Sequence, residues 1–271
     1  MKSLLPSALS LQLAELGASQ RLLVCTDYDG TLAPIAPRPE QAELLPGALN
    51  LLQELGRLPD TRVAVISGRP LDELRRHSGL SPPISLAGSH GAELPGCDSD
   101  NGLSKRESKL DILEAALAPI CAPYPGAWIE RKPFGLAVHI RNCTEWDAEL
   151  VIRKLRALPA VWPTMQRMEG KAVIEFSLSR AKKGDAVRFL RDSWSANARV
   201  IYFGDDITDE TVFETLEGVD GGVKVGGGPT RAHYRVTSES MVLNALAVLL
   251  QYRSMIVSEL IKADNSRRFN A

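Results

Sequence analysis

Arg21-Leu22-Leu23-Val24-Cys25-Thr26-Asp27-Tyr28-Asp29-Gly30-Thr31-Leu32 is the stretch that decides the fold. Its first half is an almost unbroken apolar run, the mark of a strand buried on both faces. Its second half sets two carboxylates two residues apart just beyond that strand, with Gly30 available for a sharp turn. In open parallel sheets ligands sit beyond the carboxyl ends of the strands, so Asp27 and Asp29 both point to an expected site. One can attack as a nucleophile while the other moves protons. Taken alone, the pair reads equally well as a solvated loop with a turn-capping aspartate.

The neighbouring segments repeat the pattern. A proline-rich loop (Pro34, Pro37, Pro39, Pro46) leads to a helix over 47–56 with Leu49, Leu52 and Leu55 on one side. Thr61–Ile66 is a second buried strand, Pro70 opens the next helix at its first position, and Ile84–Ala87 is a third strand. Alternating strands and helices predict a parallel α/β sheet. After residue 180 the pattern returns, with a helix over 183–194, a strand over 199–203, a helix over 209–217, a strand over 223–225 and a long helix over 238–262.

The middle of the chain reads differently. A helix from about Leu110 precedes candidate strands over 127–131 and 136–140, joined by the turn Pro133-Phe134-Gly135. A helix over 146–158 and strands over 165–168 and 172–178, around the turn Glu169-Gly170-Lys171, follow. Strand pairs with tight turns predict an antiparallel sheet with helices on one face. The expected architecture is a Rossmann-like parallel α/β core, residues 1–107 plus 181–271, interrupted by an α+β cap over 108–180.

The 271 residues carry 32 Lys plus Arg against 33 Asp plus Glu, a formal net charge of -1 that recruits neither nucleic acid nor an anionic membrane surface. Cys25, Cys97, Cys121 and Cys143 contain no CxxC pair. With Pro6, Gln12 and Glu15 breaking the N-terminal apolar run, no clean signal peptide is expected. No uncharged stretch reaches the 18 or so residues of a membrane span. A cytoplasmic protein with reduced thiols, monomeric or a small homo-oligomer, is the expectation.

Three further strand ends carry chemistry. The second runs into Ser67-Gly68-Arg69, a hydroxyl and a helix start suited to an anion. The third runs into Gly88-Ser89-His90-Gly91, and the later strand into Gly204-Asp205-Asp206-Ile207-Thr208-Asp209-Glu210. Helix capping accounts for one or two of those acids, not for four within six residues. Together with Asp27 and Asp29 they would repel unless a cation sits among them, and all-oxygen donors favour Mg²⁺.

Asp27-x-Asp29-Gly30-Thr31, Ser67, Lys183 and Gly204-Asp205-x-x-x-Asp209 resemble the four ordered motifs of the haloacid-dehalogenase-like phosphatases. Asp-Tyr-Asp-Gly-Thr-Leu-x-Pro-Ile (27–35), Ser-Gly-Arg (67–69), Gly-x-His-Gly (88–91) and Gly-Asp-Asp-x-Thr-Asp-Glu (204–210) narrow the resemblance to the trehalose-6-phosphate phosphatases of trehalose biosynthesis. That resemblance implies Asp27 as the nucleophile that forms an aspartyl-phosphate and Asp29 as the acid and base. It implies Mg²⁺ on Asp27, Asp29 (through its backbone carbonyl), Asp205 and Asp209, and Ser67 with Lys183 on the phosphoryl group. Lys182, adjacent, is the alternative lysine. The implied substrate-binding set is Tyr28, Arg69 and His90 in the core, with Glu130, Lys132 and Glu175 in the cap; charged groups there suit a sugar, since a carboxylate accepts from several hydroxyls. Arg69 and His90 read alternatively as braces of their loops, and the cap charges as a solvated strand face.

The chain departs from the family in Phe176-Ser177-Leu178, where a basic residue and Pro are common, and in Lys182, where Asp is common. A phosphatase for sucrose phosphate or a mannosyl-phosphoglycerate would differ only in the cap. A catalytically silent sugar-phosphate sensor would lack Asp27, Asp29 or Asp205, all present. His139 and Arg141 are weaker candidates. Gly221–Gly228 lacks the GxGxxG spacing and reads as turns around a short strand.

Overall fold

The computed structural model describes residues 5–95, 103–158 and 165–269. After α1 (Ser7–Gly17), β1 (Leu22–Thr26) is buried at every position, as its apolar run requires. Then come α2 (Ala48–Arg57), β2 (Thr61–Ile66), α3 (Leu71–Ser78) and β3 (Ile84–Ala87). Acidic Asp72 and Glu73 open α3, Arg75, Arg76 and His77 close it, and Gly79 takes the left-handed conformation beyond its end, φ +64°. Pro70 stands one residue earlier than expected, capping α3 in extended geometry instead of occupying its first turn.

α4 (Leu103–Cys121) begins the middle section, so residue 108 lies inside a helix. β4 (Trp128–Lys132), β5 (Gly135–His139), α5 (Glu145–Ala157), β6 (Gln166–Gly170) and β7 (Val173–Ser177) follow. The turn between β6 and β7 falls at Lys171-Ala172, one residue later than expected, because Gly170 pairs with Val173 in the ladder. Ala172 accepts a left-handed φ of +61° there.

The chain then returns with α6 (Lys183–Asp192) and β8 (Arg199–Gly204). The helix expected over 209–217 is a 3₁₀ turn, Ile207–Asp209, followed by the single-turn α7 (Glu210–Phe213). Asp209 shapes that turn by accepting the backbone N–H of Asp205 and of Asp206, each at 2.9 Å. β9 (Gly221–Val225), β10 (Tyr234–Val236) and α8 (Glu239–Phe269) complete the chain. β10 has only three residues and no apolar run, so periodicity does not find it.

The first sheet is parallel, in the order β10-β9-β8-β1-β2-β3. Leu22, Val24, Val63, Val65, Ile201 and Phe203 face α1, α2 and α8, while Leu23, Cys25, Ala64, Ile66, Val200 and Tyr202 face α6 and α7. The second sheet is antiparallel, β4-β5-β7-β6, and Leu136, Val138, Ile174 and Phe176 pack its far face on α4 and α5. This is the expected α/β core with an α+β cap. Residues 239–259 of α8 are long and apolar enough by composition to cross a membrane, yet here they lie against α1 and α2. Cys25, Cys121 and Cys143 are free thiols, and Cys97 lies outside the described residues.

Candidate active site

Asp27 leaves β1 with its N–H still bonded to Phe203 O at 2.8 Å, so the strand ladder fixes its position. The carboxyl ends of β1, β2, β3 and β8 deliver Asp27, Ser67, Arg69, His90 and Asp205 to one cavity of about 170 Å³, and the start of α6 adds Lys183. Asp27 is 4% exposed and Lys183 2%. Lys183 Nζ lies 2.7 Å from Asp27 Oδ1 and 2.9 Å from Asp209 Oδ1. Lys182 only caps α6 with its backbone, so burial distinguishes the two lysines.

Three buried carboxylates, Asp27, Asp205 and Asp209, bring ligand oxygens within 4.8 Å of one another. Burial pushes the Asp27 carboxyl well above its usual range; Lys183 opposes that, and Asp209 and Asp205 add to it. Asp209 moves the other way. Burial would raise it, but Lys183, Tyr202 and the backbone of Asp206 hold it low. Tyr202 donates its hydroxyl to Asp209 Oδ1 at 2.6 Å, a role hidden in what reads as a core aromatic. An all-oxygen cluster with a raised carboxyl fits a hard divalent cation, whose charge would favour the ionised form of Asp27.

Gly30 is required beside this cluster. Its φ is +77°, and a Cβ there would stand 2.3 Å from Asp205 Oδ2. Asp29 is turned to Arg69, which meets both its carboxylate oxygens at 2.7 Å. Arg69 also pairs with Glu73 at 2.7 Å, an i,i+4 spacing visible in the sequence. Tyr28 does not enter the cavity: it is fully buried, donates its hydroxyl to Ala42 O at 3.0 Å and lies beneath Arg69. Its expected contact with substrate is therefore corrected. Its ring joins Leu22 and Val24 in the apolar core on the side of α1, α2 and α8.

The cap closes the cavity from the other side. Glu130, Ala137 and Glu175 stand in one row across β4, β5 and β7, so two carboxylates flank a methyl-sized floor. Lys132, two residues from Glu130, bonds Glu175 and lies 3.9 Å from Glu130. Burial works against both carboxylates, yet Glu130 is held below the usual range by His139 and Lys132, and Glu175 well below it by Lys132 and His90.

Two bridges span core and cap. His90 Nε2 lies 2.9 Å from Glu175 Oε2, and Lys171 Nζ lies 2.5 Å from Asp205 Oδ2. His90 holds a left-handed φ of +56°, and Gly68 leaves the room for its ring that a Cβ, 2.6 Å from His90 Cε1, would take. Lys171 is absent from the expected set; its signal was the Gly170-Lys171 turn. His139 and Arg141 also line the cavity.

The sequence model of the family described as trehalose-phosphatase matches residues 25–257. The trehalose-6-phosphate phosphatase of Escherichia coli is 33% identical over 216 residues, 78% of this chain and 79% of that protein. The trehalose-phosphate phosphatase of Mycobacterium tuberculosis is 34% identical over 275 residues, 96% of this chain and 68% of that one. Among solved structures, the C-terminal domain of C. albicans trehalose-6-phosphate phosphatase superimposes with a TM-score of 0.78 at 24% identity, covering 93% of this chain and 99% of that chain. At that identity the superposition speaks for the fold.

Proposed function

The chain belongs to the trehalose-phosphatase family, and from that premise we propose that it hydrolyses trehalose 6-phosphate to trehalose and phosphate through an aspartyl-phosphate. In this reading a carboxylate oxygen of Asp27 attacks phosphorus and the bond from phosphorus to the sugar 6-oxygen breaks. Asp29 gives its proton to the departing oxygen. A water then attacks phosphorus, passes its proton to Asp29 and releases phosphate, which regenerates Asp27.

Arg69 has donors only, so the proton that Asp29 delivers must point away from the guanidinium, toward the departing oxygen. Ser67 Oγ accepts the N–H of Arg69 at 3.1 Å, which leaves its hydroxyl hydrogen for a phosphoryl oxygen. Lys183 supplies a buried positive charge between nucleophile and phosphate. Asp27 and Asp205, with the Asp29 carbonyl, would hold Mg²⁺ while Asp209 braces them; the ion would neutralise charge on the transferring group.

The sugar would meet Glu130, Lys132 and Glu175. The division of labour assigns chemistry to residues 1–107 plus 181–271 and substrate choice to 108–180, in a cytoplasmic enzyme. One observation carries the reading: the phosphate-handling groups of the core and the row of cap carboxylates line a single cavity.

The test is phosphate release from trehalose 6-phosphate, sucrose 6-phosphate, glucose 6-phosphate and p-nitrophenyl phosphate, each with Mg²⁺ and with EDTA. EDTA-sensitive preference for trehalose 6-phosphate is expected. Preference for another sugar phosphate would keep the core chemistry and overturn the substrate, and silence throughout would overturn the enzyme.

A further inference from the structure

Each of the two cap carboxylates in the cavity meets a histidine, and the two histidines differ in origin. Glu175 meets His90, from the core loop after β3. Glu130 meets His139, from the cap itself, with Nε2 2.7 Å from Oε2. In the antiparallel ladder His139 stands directly opposite Trp128. Their rings stack with centroids 4.0 Å apart and planes 9° from parallel. Trp128 and Glu130 lie two residues apart on β4 and so share a face, which His139 meets from the neighbouring strand.

The imidazole is thereby fixed in two ways. The indole sets its plane, and within that plane Nε2 points at Glu130. An ionised carboxylate only accepts, so His139 is the donor. The contact engages one oxygen of Glu130 and leaves the other, with the remaining lone pairs, open to hydroxyls. His139 and Glu130 side chains are only 16% and 17% exposed, so little water competes for the contact.

We propose that His139, backed by Trp128, is a positioning residue that holds the Glu130 carboxylate in the orientation that receives the sugar. This rests on the proposed function, in which Glu130 faces the sugar. A free glutamate side chain must give up its rotamer freedom when a ligand binds; one already held by a clamped histidine has given it up beforehand. The clamp lies wholly within the cap. The bond from His90 to Glu175 instead joins core and cap.

The test uses His139→Phe, which keeps a ring on Trp128 but removes the N–H, and His139→Gln, which keeps a donor at similar reach. Both are assayed with p-nitrophenyl phosphate and with the sugar phosphate that wild type hydrolyses best. For His139→Phe the KM for the sugar phosphate is expected to rise about tenfold, the scale of one hydrogen bond to a charged group. His139→Gln should recover much of that rise, and p-nitrophenyl phosphate kinetics should stay within about twofold in both. An unchanged KM, or equal losses on both substrates, would overturn the assignment.

Should His139→Phe not fold, Trp128→Leu keeps the N–H and removes its backing, and a smaller rise confined to the sugar phosphate is then expected; no rise would overturn the role of Trp128. Which sugar phosphate wild type prefers decides the proposed function separately. A preference for sucrose 6-phosphate would displace trehalose 6-phosphate and leave the His139 comparison valid. No preference for any sugar phosphate over p-nitrophenyl phosphate would overturn both.

Discussion

Arg69 grips Asp29 with two nitrogens on two oxygens, both at 2.7 Å, from a position that is itself 5% exposed. Such a bidentate pair fixes the plane and direction of a carboxylate as well as its place. Arg69 was expected either to touch substrate or to brace its loop; this geometry holds Asp29, to which the proposed mechanism gives the proton transfer. Arg69→Leu is therefore expected to lower kcat roughly ten- to a hundredfold on trehalose 6-phosphate and p-nitrophenyl phosphate alike. A rise in KM confined to the sugar phosphate would return Arg69 to the substrate-binding set. Steady-state kinetics on both substrates separates the two.

Asp27→Asn should abolish turnover, by at least about a thousandfold, because the amide is a poor nucleophile. The same change should not harm the fold. Burial and the neighbouring Asp209 and Asp205 all disfavour a charge at Asp27, and Lys183 retains Asp209 as a partner. Thermal melts of the metal-free proteins should show the variant at least as stable as wild type. Normal turnover would remove Asp27 from the nucleophile's role.

The strand-end motifs were legible because β1 is buried on both faces, so its apolar run marks the strand and everything polar beyond it marks the site. Glu130 and Lys132 were legible as a pair because period two puts them on one face. Other features depended on tertiary facts that a single stretch does not hold. Burial alone separates Lys183 from Lys182. The partnership of His139 with Trp128 needs the β4–β5 register, and the row from Glu130 to Glu175 needs a strand order set by packing on α4 and α5. Tyr28 lies in the turn beyond β1, where strand alternation no longer applies, so its place in the core beside Leu22 and Val24 rests on tertiary packing.

Acid should weaken the protein through Glu175. Burial alone would raise this carboxyl, but Lys132 and His90 hold it well below the usual range. As pH falls, the unfolded chain takes up this proton near pH 4.3 while the folded chain still resists it. The stabilisation is complete above about pH 4.3 and drains away below it until folded Glu175 is also protonated. Between pH 5 and 3 the melting temperature of wild type should fall more steeply than that of Glu175→Gln. Parallel curves would show that the ion pair contributes nothing to the fold.

Arg253 offers the opposite kind of residue, buried and charged but remote from the cavity. It rises from α8 to the amino ends of β1 and β2, where it is 2% exposed. Its guanidinium donates to the carbonyls of Gly17, Ser19, Gln20, Pro59 and Asp60 and to Thr61 Oγ1. Among the described residues no carboxylate bonds to it; burial holds its pKa below the usual arginine value, and the nearby Asp60 charge only partly opposes that. The gain is that one side chain satisfies the chain reversals before two adjacent strands. Pro59 O and Asp60 O keep the Thr61 hydroxyl and the Leu22 N–H as donors, so Arg253→Met strips mainly the Gly17 and Ser19 carbonyls, at a cost of about 2 kcal/mol in unfolding free energy. The cavity lies at the carboxyl ends of the same strands, so kcat on p-nitrophenyl phosphate at low temperature should stay within about twofold of wild type. Denaturant unfolding and kinetics on one preparation decide it: an unchanged midpoint would deny the staple, and a lost kcat in a folded variant would show that the two ends of the sheet are coupled.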